Sequence, residues 1–363
     1  LNKIILQQII FMLNKIYFIW FLITPITLTF SQYTDQINSN RPGVSIGAFS
    51  VGTKVIQFES GIGYRNYKHK SYNNSISKGK IGFISLRYGL LKEQLEINYE
   101  GSYMIDKLQN YTITPGVEYK REGFLSNFIG VKYLFFDPFK KNNVINVYSW
   151  DANNKFRIKD LIPAASITIG TNVNFKKNKA YPFGDVFEIL NKPFLYQTSV
   201  FPKKTEPFFT GRITLATQSH FFGTWVFVTN FTYDRILSDY IEKNYILTLT
   251  HTFDPKWSIY IETQGISSEI YKDQLFRSGI AYLMNDNLQF EMSFGFNSKN
   301  SPSSVLLNTG VSYRLDFHKD IDPQIKKDEK NLKKQSKKEE KELKKAFKKS
   351  KKATRKARKN TKF

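Results

Sequence analysis

Four histidines, His69, His220, His251 and His318, are the residues from which base or metal chemistry would have to be built, because the chain contains no cysteine. That absence excludes disulfides, thiolate zinc sites and a cysteine nucleophile. It also fits export through an oxidising compartment, where a stray thiol is a liability. No two histidines stand within metal-ligand spacing, and no glycine-rich phosphate loop precedes a helix. A Ser and His pair could still hydrolyse an ester. His251 shares a phase with Leu247, Leu249 and Phe253, and Ser258 or Ser278 could approach it from neighbouring strands. A nucleophile needs a base within hydrogen-bond reach and a third group to orient that base. One strand-borne histidine supplies neither, so His251 reads as part of a wall. The expectation is no enzyme, no catalytic residue, no metal and no cofactor.

A second chemistry-bearing set is more regular. Glu59, Arg87, Glu96, Glu100, Arg212, Glu262, Arg277, Glu291 and Arg314 all fall on the polar face of segments about ten residues long that alternate apolar with polar. Strict alternation is the period of a strand with two different faces. Leu95, Ile97, Tyr99 and Tyr103 oppose Glu96, Asn98, Glu100 and Ser102. Ala165, Ile167, Ile169 and Val173 oppose Ser166, Thr168, Gly170 and Asn172. Leu288, Phe290, Met292, Phe294 and Phe296 oppose Gln289, Glu291, Ser293, Gly295 and Asn297, and the pattern recurs from Val305 to Phe317.

A soluble sandwich alternates too, but its strands average five or six residues, whereas a strand tilted across a bilayer needs about 9 to 11. The composition points the same way. A chain of 363 residues with 32 Phe and 21 Tyr has a mean hydropathy of −0.40, odd for a soluble domain and suited to aromatic girdles around a polar lumen. The reading is an all-β transmembrane antiparallel barrel whose charged inner face lines a water-filled lumen.

Thirteen candidate strands can be marked: 55–66, 79–90, 93–103, 111–121, 126–135, 163–174, 208–216, 223–233, 245–253, 256–266, 273–284, 287–297 and 304–317. Bacterial single-chain barrels use an even number, with short periplasmic turns and longer outer loops. The tight turns at Leu91-Lys92, 254–256 and Asn285-Asp286 all fall on the periplasmic side if one strand before residue 163 is removed. Segment 111–121, which holds Pro115, is assigned to an extracellular loop. About 12 strands are expected, within a range of 10 to 14. Two long interruptions remain, 136–162 and 175–207; the first is a long periplasmic connection, and the second lies outside the cell or folds into the lumen.

The flanks have different physics. From Met12 the chain reads MLNKIYFIWFLITPITLTFSQ, with one basic residue, Lys15, before an apolar run from Ile16 to Phe30 and the small residue Ser31. This is the build of a secretory signal peptide, and the run is shorter than the roughly 20 residues that cross a bilayer. Cleavage is expected beside Ser31 or Gln32, with 1–11 an upstream extension. No cysteine follows the run, so no lipoprotein anchor is expected. At the other end, 319–363 carries 20 Lys and Arg against 7 Asp and Glu, a net of 13 of the chain's 23 positive charges. Such density cannot build a core, and a disordered or helical basic tail is expected. The domain boundaries are therefore 1–31, a periplasmic or lumen segment 32–54, the barrel 55–318, and the Lys-rich tail 319–363.

Asn40-Arg41-Pro42-Gly43, then Ser50-Val51-Gly52, then Val55 to Gly61 resemble the opening of the outer-membrane family named for the meta-pathway of phenol degradation. Phe222–Tyr233, Thr248–Trp257, Gly279–Phe290 and Gly310–Leu315 are similar to its later repeats, so the resemblance spans roughly 40–317. It implies a Bacteroidetes-type outer-membrane transporter or channel for small solutes, hydrophobic or aromatic ones in some members. Asn40 stands where an Asp is usual, which puts an ion pair from that position to Arg41 or another lumen arginine in doubt. Arg41, Pro42 and Glu59 fit either a plug packed on the inner wall or direct contacts to substrate. The expected site is the lumen path of Arg41 with the nine charged residues above. The alternative function is a structural or envelope-anchoring barrel with a basic periplasmic tail. Expected partners are outer-membrane lipid, the barrel-assembly machinery, a small solute and, through the tail, anionic cell-wall polymer; nucleic acid is not expected.

Overall fold

The structure, a computed structural model, describes residues 36–70, 73–111, 115–140, 161–173, 207–238, 241–269 and 272–318. The expected signal peptide and upstream extension, most of both long interruptions, and the tail 319–363 lie outside the described residues. Among those described, twelve strands run in chain order: β1 Val55–His69, β2 Ser75–Gly89, β3 Leu95–Asn110, β4 Val117–Phe136, β5 Ala164–Val173, β6 Phe209–Phe221, β7 Trp225–Ile236, β8 Glu242–Asp254, β9 Trp257–Ser267, β10 Lys272–Asn285, β11 Leu288–Asn297 and β12 Ser303–Asp316. Each pairs antiparallel with its sequence neighbours, and β12 returns to β1 in register from Val55↔Asp316 to Lys68↔Ser303, closing the barrel. Closure pairs every strand on both sides through the middle of the wall, as a bilayer interior demands; the far end of β4, 117–127, pairs with β3 alone among the described residues.

The alternation seen in the sequence sorts residues between two media. On β11, Phe290, Met292, Phe294 and Phe296 are exposed on the outer surface, while Glu291, Ser293 and Asn297 are buried inside. Ile62 is 68% exposed and Ile261 62%. A wall that is apolar outside and polar inside is the inverse of a soluble domain. Only hydrocarbon makes such a surface favourable, and the protein is an outer-membrane β-barrel.

The strand count agrees with the expectation, but one assignment does not. Segment 111–121 is not an extracellular loop: Val117 begins β4, which runs on unbroken through Phe136 and pairs with β3 from Asn110↔Val117 to Leu95↔Tyr133. A bulge explains the misreading. Ser102 faces Ser126 and Tyr103 faces Phe124, leaving Leu125 without a partner. A bulge of this kind shifts the side-chain phase by one residue, so one strand of 20 residues reads as two.

The two chain ends of the barrel share one rim. There the connections at 222–224, 255–256 and 286–287 are short, and 137–163 is the long exception. Short turns mark the periplasmic side of such barrels, so this near rim is periplasmic. At the far rim, the β1–β2 connection 70–74 holds Asn73 and Asn74 in the left-handed conformation, φ 48° and 59°, which asparagine tolerates better than most residues.

Candidate functional site

The lumen is not an open tube, because residues 36–54 enter it and follow its inner wall. A strandless segment inside a barrel has backbone N–H and C=O groups that no ladder satisfies, so the wall must satisfy them. It does so with carboxylates and amides. The N–H groups of Val44 and Ser45 donate to Glu262 Oε2 at 3.0 and 3.2 Å. Ile46 N–H donates to Asn230 Oδ1 at 2.7 Å, and Asn230 Nδ2 donates back to Ile46 O at 2.8 Å. Ala48 N–H donates to Gln218 Oε1 at 3.0 Å, and Val51 N–H to Glu96 Oε2 at 3.0 Å. In return Lys132 Nζ donates to Phe49 O at 2.8 Å and Arg87 Nη1 to Asn38 O at 2.8 Å. Gly43 is what lets the chain approach Glu262, since a Cβ there would sit 2.7 Å from its carboxylate oxygen.

Beneath the segment lies a dry ion network. Arg87 meets Glu96 through Nε at 2.8 Å and Nη2 at 3.0 Å. Lys132 reaches the same carboxylate at 3.2 Å, and Glu59 lies 3.9 Å from Arg87. Arg87, Glu96, Glu59 and Lys132 are each at most 1% exposed, so the expected water-filled surface is corrected at this level: the plug has displaced the water. Arg41 completes the group, 4.0 Å from Glu59 and with its guanidinium 4.2 Å from the Phe83 ring centroid. Ser39 bridges Glu59 at 3.3 Å and Ser312 at 2.8 Å, and Ser312 donates to Glu291 at 3.2 Å. Asn40 makes no ion pair; its Oδ1 accepts Gly47 N–H at 2.9 Å and closes the turn of the segment.

Two cavities remain on either side. The larger, of about 790 Å³, lies toward the near rim, where His220 packs its ring 5.7 Å from Phe49 and 5.2 Å from Phe139. The smaller, of about 290 Å³, opens toward the far rim. Its polar side holds Arg212, which pairs with Asp234 at 2.8 Å and Glu100 at 3.6 Å. Arg277 pairs with Glu262 at 3.0 Å. Its other side is apolar, with Tyr67, Ile81, Leu125, Ile246, Leu275 and Leu306 around the segment's Val44 and Ile46. Arg314 stands apart, held by Asp316 at 2.9 Å near the rim.

Several residues that hold this site escaped the sequence reading. Lys132 shares its inner phase with Phe128 and Leu134, so the apolar and polar faces of β4 do not separate cleanly. Asn230 and Gln218 carry no charge that would mark them in the alternating pattern, although a neutral amide that both donates and accepts suits a bare peptide backbone best. Asp234 sits one residue beyond the 223–233 strand marked from the sequence. The Ser and His arrangement does not form. His251 faces outward, stacked on Trp225 with centroids 4.2 Å apart. Ser258, on the adjoining β9, lines the lumen on the opposite side of the wall, and Ser278 belongs to β10, which does not adjoin β8.

With this geometry in view, the relatives are informative. The family described as "Putative MetA-pathway of phenol degradation" matches residues 39–184 and 203–315. The chain belongs to this family. The match begins at Ser39, so the lumen segment is part of the family's unit along with the wall. Among solved structures, the chain is similar to an outer-membrane channel from Pseudomonas putida F1, at 9% identity and a TM-score of 0.46, covering 77% of this chain and 100% of that one. It is also similar to the NanC porin, at 10% identity and a TM-score of 0.42, covering 71% and 100%. A third is the KdgM porin in complex with disordered oligogalacturonate, at 12% identity and a TM-score of 0.36, covering 71% and 99%. No curated protein matches the chain.

Proposed function

We propose that the protein is an outer-membrane channel or transporter for small solutes, those with an apolar or aromatic body among them, and that it carries out no catalytic step. The observation that carries this reading is the pair of lumen cavities on either side of the segment 36–54. The segment is tied to the wall by separate hydrogen bonds to side chains, each worth about 0.5–3 kcal/mol net, beside a small apolar contact of Ala48 and Phe49 with Leu134, Ala164 and Phe139. A plug held in this way can shift along the wall by exchanging partners. The solute class is supported by the far-rim cavity, where the inward-facing Ile81, Leu275 and Leu306 would be poorly matched to water alone and suit an apolar surface.

One specific observation favours a second reading, a structural barrel that anchors the envelope through its basic tail on cell-wall polymer: the segment fills the lumen at the level of Glu96. Conductance of the purified full chain in planar bilayers separates the two. A channel is expected to give small, fluctuating currents that become larger and longer-lived when Glu262→Gln weakens the segment's hold. A barrel that stays silent in both forms overturns transport and leaves the anchoring reading, which then requires salt-sensitive sedimentation with cell-wall polymer.

A further inference from the structure

The outer surface of the wall carries its own chemistry near the far rim. On β1–β4 the positions that continue the lipid-facing phase upward are Lys68, Lys78, Lys80, Lys107 and Lys120, all exposed. Three of them stand side by side, since Lys78 pairs with Lys107 and Lys107 pairs with Lys120 in cross-strand register. With strands about 4.8 Å apart, these three ammonium groups spring from a stretch of roughly 10 Å. Like charges placed directly opposite one another destabilise a sheet. The same face carries just two acids, Glu118 and Glu122 among the described residues, and Glu118 meets Lys107 at 3.4 Å. The row is left with a surplus of positive charge.

Its height locates the missing counter-charge. Lys68, Lys107 and Lys120 each lie four residues along the strand from an exposed aromatic residue, Tyr64, Tyr103 and Phe124. The last two rings pack edge to face at 5.1 Å. Such rings mark the upper limit of the hydrocarbon band, and four residues of tilted strand rise roughly 10 Å above it. That is headgroup depth on the outer leaflet, and a lysine stem can lie along the apolar wall with its ammonium at that level. We propose that Lys78, Lys107 and Lys120, flanked by Lys68 and Lys80, bind the phosphorylated headgroup of an outer-leaflet glycolipid whose acyl chains lie on the apolar face of β1–β4 below.

The test uses the full chain in uncharged detergent, with binding of diphosphorylated lipid A read by native mass spectrometry and titration. The triple variant Lys78→Gln, Lys107→Gln and Lys120→Gln is expected to bind at least tenfold more weakly. The near-rim triple Lys54→Gln, Lys92→Gln and Lys256→Gln should bind as the parent does. Enzymatically dephosphorylated lipid should bind the parent as weakly as the diphosphorylated form binds the triple, and millimolar inorganic phosphate should fail to compete. Equal binding by parent and far-rim triple overturns the proposal, as does equal loss in the near-rim triple. Tight binding of the dephosphorylated lipid overturns it too, and so does full competition by inorganic phosphate, which would make the site one for the free ion. Should the triple not refold, Lys78→Gln and Lys120→Gln alone are each expected to weaken binding about threefold, and unchanged binding by both would be decisive against it.

Discussion

Glu96 and Glu100 stand four residues apart on the same face of β3, yet they inhabit different media. Glu96 is 1% exposed and held by Arg87, Lys132 and the Val51 N–H. The Glu100 side chain is 30% exposed and lies 3.6 Å from Arg212. The segment 36–54 makes this difference, because it lies over the first carboxylate and stops short of the second. The barrel thus has a dry level that fastens the plug and a wet level that faces a cavity. The same residue type contributes structure in one and field in the other.

The sharpest way to break that comparison is to neutralise each carboxylate in turn. Glu96→Gln keeps an acceptor for Val51 but leaves Arg87 and Lys132 buried without their counter-charge. Removing one partner from a buried ion network costs about 3–5 kcal/mol, so the urea midpoint of the detergent-solubilised barrel should fall clearly. Glu100→Gln, at a partly solvated pair, should move it by no more than about 1 kcal/mol. Equal shifts would mean that the two levels do not differ in hydration.

Glu262 is as sealed as Glu96, its side chain 0% exposed, but its partners come from both the wall and the plug. Its carboxylate accepts Val44 N–H, Ser45 N–H and Thr248 Oγ–H, and it pairs with Arg277. Hydrogen bonds to charged groups contribute about 1.5–3 kcal/mol, and half of this set, from Val44 and Ser45, joins the wall to the plug. Glu262→Gln is therefore expected to leave the barrel folded, read by heat-modifiability on gels, with a lower urea midpoint from the unpaired Arg277, while raising the rate of protease cleavage within 36–54 about tenfold or more. Unchanged cleavage would assign the hold on the segment to the Glu96 level alone.

What could be read from the sequence was the wall. Leu288 to Asn297 alternates without interruption because one side meets hydrocarbon and the other the lumen, and no third environment intervenes. Where a third environment exists the pattern blurs. Phe128 and Leu134 face inward and share the phase of Lys132. Leu125 is an extra residue in its ladder, so β4 split into two apparent strands. The charged list from the sequence did find the lumen face, but alternation carries no information about depth. It could not tell that Glu96 is sealed and Glu100 wet, since that is decided by where a strandless segment comes to rest.

The most direct expected effect on function is at the far-rim cavity. Asp234 pairs with Arg212, whose guanidinium also reaches Glu100 and lies 4.6 Å from the Phe128 ring centroid. Asp234 is buried, whereas the Arg212 and Glu100 side chains are 20% and 30% exposed. Asp234→Asn keeps an acceptor for Asn172 and leaves Arg212 its Glu100 partner, so the urea midpoint should fall by about 1–2 kcal/mol, less than for Glu96→Gln. The field in the cavity changes more than the fold does. With the carboxylate gone, the guanidinium's charge is less well cancelled, and the lumen should favour anions relative to the parent. Arg212→Gln should shift the preference toward cations. Reversal potentials across a salt gradient read both signs. At 1 M salt, where the screening length falls to about 3 Å, both shifts should nearly vanish if the cavity is wetted by bulk electrolyte. Shifts that persist at high salt would place Arg212 and Asp234 in a dry level like that of Glu96, and the contrast between the two levels of the lumen would be lost.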